Sequence, residues 1–186
     1  LIFRADGKVH ADNTDGYGFL ANLRQGAPDW DPSAGPAAVL GAGGAARAII
    51  AALIEAGTKE IMLSNRTRPK AETLKADFGS RVTVVDWVQA GNMIEASATV
   101  VNTTSLGMVG AAEFRVPLDG LRRGMVVTDL VYTPLRTRLL QAAEEAGCTT
   151  VDGLGMLLHQ GVPGFERWFS QRPEVDEATR AAVLGG

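Results

Sequence analysis

The sequence predicts an α/β protein built on a doubly wound parallel sheet of six strands. Short runs rich in β-forming residues alternate with helical stretches from Ala37 onward, and this alternation implies parallel strands joined by right-handed crossovers. Glycines follow three of the helical stretches, at the position where a left-handed residue favours the end of a helix. A glycine-rich turn also follows the first strand directly, where a helix begins.

The predicted strands and helices follow one another at regular intervals. The six strands cover residues 37–40, 60–64, 82–86, 98–102, 125–130 and 149–152. Three helices lie between them over residues 45–56, 69–78 and 135–146, and Gly57, Gly79 and Gly147 end them.

The segments before the sheet are interpreted as part of another domain. The chain opens with Leu1 rather than Met, and residues 1–10 are interpreted as a hairpin around an Asp6-Gly7 turn. A helix over residues 14–24 follows, and the Gly- and Pro-rich stretch 26–35 is typical of a linker. We therefore expect the chain to begin in the middle of a domain.

Three units are predicted along the chain. Residues 1–25 form a remnant of an N-terminal domain with its linking helix, and residues 36–152 form the domain with the six-stranded sheet. Residues 153–186 form helices that return towards the first domain, a long one reaching Phe169 and a capped one over residues 174–184.

Composition excludes several classes of function. A net charge of −3 provides no basic surface for nucleic acid, and no apolar run approaches the roughly 20 residues of a membrane span. We therefore expect a cytoplasmic protein. Cys148 is the only cysteine, and His10 and His159 are too far apart for a local metal motif. Any redox chemistry then requires an organic cofactor.

The glycine-rich turn matches the G-x-G-x-x-G/A pattern of Rossmann domains, in the strand-to-helix context that gives the pattern meaning. Gly41 permits the tight turn, and Gly43 lets backbone N–H groups approach a pyrophosphate. Because the match alone is weak, a glycine-rich turn without a ligand stays open as an alternative. The predicted cofactor contacts in this turn are Gly41, Ala42, Gly43, Gly44 and Ala45.

The end of the second strand predicts which cofactor binds. NAD-selective folds place a carboxylate here to hold the ribose hydroxyls, whereas this chain has a segment with three cations and no carboxylate, residues 64–70. A guanidinium can stack on adenine and pair with a 2′-phosphate. We therefore predict NADP(H) rather than NAD(H), although solvated loop charges are the alternative. The predicted contacts are Asn65, Arg66, Thr67 and Lys70.

Together with these two motifs, four further segments resemble the shikimate dehydrogenase family, in order and at the spacing of that family. They are Asn13-Thr14-Asp15-Gly16, residues 102–108 (NTTSLGM), residues 129–134 (DLVYTP), and residues 153–157 (GLGML) with Gln160, Phe165 and Trp168. The resemblance covers almost the whole chain. It implies reduction of 3-dehydroshikimate to shikimate with NADPH in chorismate and aromatic amino acid biosynthesis, by an enzyme whose N-terminal domain holds most substrate contacts.

The resemblance also implies roles for three residues at the substrate. A carboxylate in the first turn of a helix favours a capping role for Asp15, but by resemblance Asp15 binds a substrate hydroxyl and forms the acidic half of a Lys-Asp catalytic pair. Tyr132 is expected to face the substrate and the nicotinamide, with a half-buried strand aromatic as the alternative. Gln160 is expected to reach the substrate.

Four more cofactor contacts complete the set that the resemblance implies: Thr103, Ser105, Leu130 and Gly153. The first two leave the fourth strand beside the switch point of the sheet, where ligands bind, although a plain Ser/Thr turn is the alternative. Gly153 would let the nicotinamide approach the backbone. The helically spaced apolar residues of the following helix are expected in the core: Met156, Leu157, Phe165 and Trp168.

The proton-transfer lysine of the family is missing from this chain. Its lysines are Lys8, Lys59, Lys70 and Lys75, and none is expected to meet Asp15. The chain thus resembles about the C-terminal two thirds of a shikimate dehydrogenase, and we expect it to bind cofactor and turn over little or nothing. A quinate/shikimate or aminoshikimate relative and a non-catalytic NADP-binding module stay open, as does the choice between monomer and homodimer.

Overall fold

The computed structural model describes residues 1–3 and 6–185. Arg4 and Ala5, which belong to the predicted hairpin, and Gly186 lie outside the described residues. The strands are β1 (Ile2–Phe3), β2 (Val9–His10), β3 (Ala37–Leu40), β4 (Ile61–Ser64), β5 (Val82–Val85), β6 (Thr99–Asn102), β7 (Val126–Asp129) and β8 (Thr149–Val151). The helices are α1 (Asp15–Gly26), α2 (Gly44–Ala56), α3 (Arg68–Phe78), α4 (Ala90–Glu95), α5 (Arg138–Glu145), α6 (Gly153–Phe169) and α7 (Glu177–Leu184).

The predicted doubly wound sheet is confirmed. Strands β3 to β8 pair in parallel in the order β5-β4-β3-β6-β7-β8, and each boundary lies within one residue of its prediction. The winding direction reverses between β3 and β6, so the switch point lies at the carboxyl ends of these two neighbouring strands. The hairpin of β1 and β2 forms a separate antiparallel pair.

Two apolar cores cover the two faces of the sheet. Val39 of the central strand packs into the core beneath α1 and α2, whereas its neighbours Ala38 and Leu40 face the core beneath α4 and α5. All four residues of β3 are fully buried, as expected for a strand of a parallel sheet with helices on both faces. The site described below therefore stands on a rigid central element.

Two helices begin later than predicted because a side chain further along the sequence caps them. Helix α5 begins after Thr137, whose hydroxyl accepts a hydrogen bond from the Leu140 N–H at 3.3 Å. Helix α7 begins after Asp176, which accepts from the Thr179 N–H at 2.8 Å. The short helix α4 was not predicted.

The expectation that the apolar face of α6 lies in the core is wrong for three of its four residues. Met156 is buried, but Leu157, Phe165 and Trp168 are exposed. Helical spacing identifies a common face without showing what covers it. The buried residues of α6 are residues 153–156 in its first turn and Val162 further along. Within the described residues, no helix is both long enough and apolar enough to span a membrane.

Candidate cofactor and substrate site

The glycine-rich turn connects β3 to α2 at the switch point. Gly41 has a φ of +108°, and a Cβ on it would lie 2.6 Å from the Thr103 hydroxyl oxygen. Only glycine fits there, because both the backbone conformation and the neighbouring strand exclude a side chain. Gly43 and Gly44 instead have open space where a Cβ would stand. The start of α2 thus borders open space. Gly43 at its N-cap position has no side chain that could cap the first N–H groups.

Asn65 joins this turn to the end of β4. Its side-chain oxygen accepts a hydrogen bond from the Ala42 N–H at 3.1 Å, and its amide nitrogen donates to the Thr67 carbonyl at 2.9 Å. Asn65 therefore fixes the glycine-rich turn relative to the cationic segment. This contact was not predicted.

Arg66 lines a cavity of about 620 Å³ beside β4. Its side chain is exposed and makes no ion pair with any residue of the described ranges. Asn65 lies on the same wall, and Trp87, Leu106 and Arg115 belong to other segments around the cavity. Arg115 pairs with Glu113, a carboxylate on the same lining, at 3.1 Å. The aromatic ring, the aliphatic groups and the guanidinium of Arg66 suit a nucleobase and a phosphate.

Arg68 behaves differently from Arg66. Its guanidinium pairs with Asp86, at the end of β5, and with Glu72 at 2.8 Å. Thr67 and Lys70 are exposed near the start of α3 and are not among the residues lining this cavity. The three predicted cations therefore have different environments, and Arg66 is the one that borders the cavity.

A second cavity of about 310 Å³ continues along the carboxyl edge of the sheet. It shares Thr104 and Ser105 with the first, and it is also lined by Ala45, Thr103, Met108, Leu130, Val131, Tyr132 and Thr133. The structure thus brings most predicted cofactor residues to one edge. Tyr132 is 46% exposed and lies three residues past the end of β7, so it is half-buried but not part of the strand. Its contact with the substrate and the nicotinamide stays a prediction.

Two of the predicted residues here have structural contacts of their own. The Thr103 hydroxyl donates to the Leu40 carbonyl at 2.8 Å and so ties β6 to β3. Gly153 is buried, and a Cβ there would collide with the carbonyl of Leu130. Close packing of α6 on the end of β7 explains this glycine, and its predicted contact with the nicotinamide stays a prediction.

Asp129 was quoted within a motif but not predicted as a functional residue. The carboxylate is fully buried at the end of β7, and this burial raises its pKa from the ordinary 3.8 to about 6. Hydrogen bonds from Thr137, the Val131 N–H and Asn102 act in the opposite direction, because they favour the charged form. The sequence feature that could have identified Asp129 is a carboxylate at the end of a run of apolar strand residues.

Asp15 begins α1 but does not cap it. The Asn13 side-chain oxygen accepts from the Asp15 N–H at 2.9 Å, and the Asn13 amide donates to the Asp15 carboxylate at 3.4 Å. The capping alternative for Asp15 is therefore wrong. Within residues 1–3 and 6–185, no lysine forms an ion pair with this carboxylate.

Helices α1 and α6 cross at Gly18, one turn after Asp15. A Cβ on Gly18 would lie 2.7 Å from the Gln160 Cβ and 2.8 Å from the Met156 carbonyl oxygen. Residues i and i+3 share a helix face, so this crossing brings the faces that carry Asp15 and Gln160 together. No cluster of three His, Cys, Asp or Glu side chains suited to a metal ion occurs in the part of the chain that the structure describes.

Sequence comparisons match this arrangement to known proteins. Residues 31–114 match the family model described as Shikimate / quinate 5-dehydrogenase, and residues 153–184 match that of the Shikimate 5'-dehydrogenase C-terminal domain. The chain is 73% identical to the Shikimate dehydrogenase (NADP(+)) of Cereibacter sphaeroides strain ATCC 17025, over 99% of this chain and 66% of that protein. It is 70% identical to the protein of the same name from Ruegeria sp. strain TM1040, over 99% of this chain and 67% of that protein.

Solved structures agree with the sequence matches. The quinate dehydrogenase from Corynebacterium glutamicum in complex with NAD superposes with a TM-score of 0.89 at 29% identity, covering 100% of this chain and 66% of that one. The shikimate 5-dehydrogenase from Thermus thermophilus in complex with NADP(H) and shikimate gives a TM-score of 0.78 at 35% identity, covering 92% and 62%. The chain thus spans about two thirds of the length of its curated relatives. The sequence identity, the two family models and the shared fold together show that the chain belongs to the shikimate dehydrogenase family.

Proposed function

We propose that this chain is the NADP(H)-binding part of an NADP-dependent shikimate dehydrogenase, which reduces 3-dehydroshikimate to shikimate. The observation that carries the proposal is Arg66, a guanidinium without an ion pair in the described ranges that lines the cavity beside β4. Relatives that are 70–73% identical have the name Shikimate dehydrogenase (NADP(+)). Cytoplasmic localisation and a monomer or homodimer remain predictions from the sequence.

The adenosine end of the cofactor would be held at Arg66 and Asn65. The side-chain amide of Asn65 is already committed to Ala42 and Thr67, so its contribution is to fix the shape of the turn. The guanidinium of Arg66 can pair with two phosphate oxygens at once. Lys70 would add a second positive charge close to the start of α3. A 2′-hydroxyl offers no charge to these side chains, so the pocket would discriminate by charge.

The pyrophosphate would be held at the start of α2. Gly43 and Gly44 leave open the space that a Cβ would fill, and the first N–H groups of a helix favour an anion both by hydrogen bonding and through the helix dipole. The residues present therefore fit a dinucleotide.

The nicotinamide end would be held in the second cavity, whose walls carry Thr103, Ser105, Leu130 and Tyr132. When bound, NADPH supplies a hydride to the substrate carbonyl carbon. Asp15 would bind a substrate hydroxyl and hold a proton at its carboxylate, and Gln160 would orient the substrate from α6. Both residues are partly buried at the crossing of α1 and α6, which limits their movement.

Residues 1–186 by themselves are expected to give very low turnover. No lysine pairs with Asp15 in the described residues, so the partner expected for proton transfer is not in place. Hydride transfer also depends on fixing both reactants in line. Addition of shikimate and NADP⁺ should therefore produce NADPH at a rate far below that of the relatives, and a rate comparable to theirs would contradict this part of the proposal.

The cofactor assignment can be tested by parallel fluorescence titrations with NADPH and NADH. Hydrogen bonds to charged groups contribute about 1.5–3 kcal/mol, so NADPH should bind roughly 10- to 100-fold more tightly than NADH. Arg66→Ala should remove most of this preference, and added salt should weaken it. The matched control is Arg123→Ala, an exposed arginine outside both cavities, which should leave both affinities unchanged. Equal binding of the two cofactors by the unaltered chain would refute the pocket assignment.

Quinate is a second candidate substrate, favoured by one observation. The quinate dehydrogenase of C. glutamicum superposes on the whole chain with a TM-score of 0.89. Its identity of 29% is far below that of the shikimate dehydrogenases. A titration of the cofactor-loaded chain with shikimate and quinate, followed by protein fluorescence, separates the two, and we expect shikimate to bind more tightly.

A further inference from the structure

Asp129 occupies an unusual position for a carboxylate. It ends β7 with no solvent exposure, and both of its oxygens accept hydrogen bonds. Asn102 donates to Oδ1 at 2.8 Å, the Val131 N–H donates to the same oxygen at 3.0 Å, and the Thr137 hydroxyl donates to Oδ2 at 2.7 Å. These donors come from the end of β6, from the loop after β7 and from the cap of α5.

The 310 Å³ cavity has one wall formed by residues 103–105 and another formed by residues 130–133. One branch of this network reaches the first of these walls. The Asn102 side-chain oxygen accepts from the Thr104 N–H at 3.0 Å and from the Thr104 hydroxyl at 2.7 Å. The Thr104 hydroxyl oxygen in turn accepts from the Leu106 N–H at 3.1 Å. The loop after β6, which carries Ser105, is therefore tied to the Asp129 carboxylate through Asn102.

The other branch fixes the opposite wall. The Val131 N–H bond sets the direction of the chain directly before Tyr132. The Thr137 hydroxyl holds the far end of the same loop, since it donates to Asp129 while capping α5. Both ends of the segment that carries Tyr132 are therefore bonded to one carboxylate.

From this geometry we propose that Asp129 is a positioning residue for the nicotinamide, because its buried carboxylate fixes the two walls of the 310 Å³ cavity relative to each other. The proposal rests on the proposed NADP(H) binding. Asp129 does not line either cavity, and it acts through Thr104 on one side and through the loop of Tyr132 on the other.

The network depends on the two acceptor oxygens of Asp129, because all three partners donate to an ionised carboxylate. Asparagine could keep all three contacts, since the Thr137 hydroxyl can accept from an amide NH₂ group as well as donate. Leucine has the same branched shape without any acceptor, so Asp129→Leu removes the bonds to both walls. A buried carboxylate is also a poor device for stability alone, because apolar groups of similar volume often stabilise a fold as well or better.

The test compares two ligands on the full chain, NADPH and adenosine 2′,5′-bisphosphate, which contains only the adenosine end. Asp129→Leu should weaken NADPH binding about tenfold, or about 1.4 kcal/mol, and change binding of adenosine 2′,5′-bisphosphate by less than about twofold. The emission maximum of the bound reduced nicotinamide should move towards that of free NADPH. The matched control is Asp29→Leu, at an exposed residue in the loop before β3, which should behave as the unaltered chain.

A second pair of variants covers the case in which Asp129→Leu fails to fold. Thr137→Val removes one donor to Asp129, and Thr137→Ser keeps it. We expect weaker NADPH binding and a shifted nicotinamide emission with valine, and recovery of both with serine.

Equal losses for the two ligands in Asp129→Leu, or unchanged NADPH binding in this variant when it is folded, would overturn the positioning role. Unchanged NADPH binding in Thr137→Val would do the same. An unaltered chain that binds neither ligand would instead refute the proposed function, and the positioning role with it.

Discussion

Gly18→Ala tests whether the crossing of α1 and α6 sets the geometry of the substrate end. The new methyl group would lie 2.7 Å from the Gln160 Cβ and 2.8 Å from both the Gln160 nitrogen and the Met156 carbonyl oxygen. Two of these three atoms belong to the backbone, so a change of rotamer cannot relieve the collision. The helices must separate by about 1 Å to reach ordinary van der Waals contact.

The expected magnitude is the difference between two effects. Overpacking of this kind costs about 1–3 kcal/mol, whereas replacing glycine by alanine inside a helix contributes about 1 kcal/mol of stability. The net destabilisation should be up to about 2 kcal/mol. For a chain of 150–250 residues, each kcal/mol shifts the Tm by about 2–4 °C, so the Tm of Gly18→Ala should fall by up to roughly 8 °C.

Gly161→Ala provides the matched control. Gly161 lies in α6 beyond the crossing, and a Cβ there would meet no atom within 4 Å. It therefore gains helix propensity without a collision, and its Tm should rise by about 1–4 °C. Calorimetry of the two variants decides the matter. If both alanines shifted the Tm in the same direction, close packing at Gly18 would not be what requires glycine there.

Three further predictions concern other contacts. Arg180→Met removes the 2.6 Å ion pair with the half-buried Asp152 and should lower the free energy of unfolding in urea by about 1–2 kcal/mol. Gly43→Ala should weaken NADPH binding with little change in Tm, because a Cβ there meets only open space, whereas Gly41→Ala should lower both, since its φ of +108° disfavours any side chain. Burial raises the pKa of Asp129 from 3.8 to about 6, so between these pH values the folded state retains a proton that the unfolded state releases. The free energy of unfolding should therefore fall as the pH rises from about 4 to about 6, by about 3 kcal/mol relative to Asp129→Asn.

The elements of the sheet could be predicted because their signals are local. Buried strands of a parallel sheet appear as short apolar runs, and Gly57 and Gly147, just past the ends of their helices, both have positive φ. The start of α5 could not be predicted from such signals. Thr137 caps that helix while donating to Asp129, eight residues earlier, so the boundary depends on a tertiary contact.

The site was predictable to the level of an edge of the sheet but not to the level of contacts. Residues following β4 and β6 line the two cavities, and Ala45 at the end of the glycine-rich turn lines the second, near the switch point of the sheet. The bond between Asn65 and Ala42 spans 23 positions, and the buried pairing of Asn102 with Asp129 spans 27. Such partners become visible only when parallel strands are placed side by side.

The three cations after β4 would contribute to cofactor choice in different ways. Arg68 pairs with both Asp86 and Glu72, so these two carboxylates near the proposed adenosine site would repel a phosphate less. Lys70 and Arg66 make no ion pair within the described ranges, so they supply the net positive charge. A 2′-phosphate would therefore be attracted by Arg66 directly, while Arg68 would act indirectly by neutralising Asp86. Loss of Arg68 should then weaken the preference for NADPH less than loss of Arg66, and it should do so most at low ionic strength, where the uncovered carboxylates are least screened.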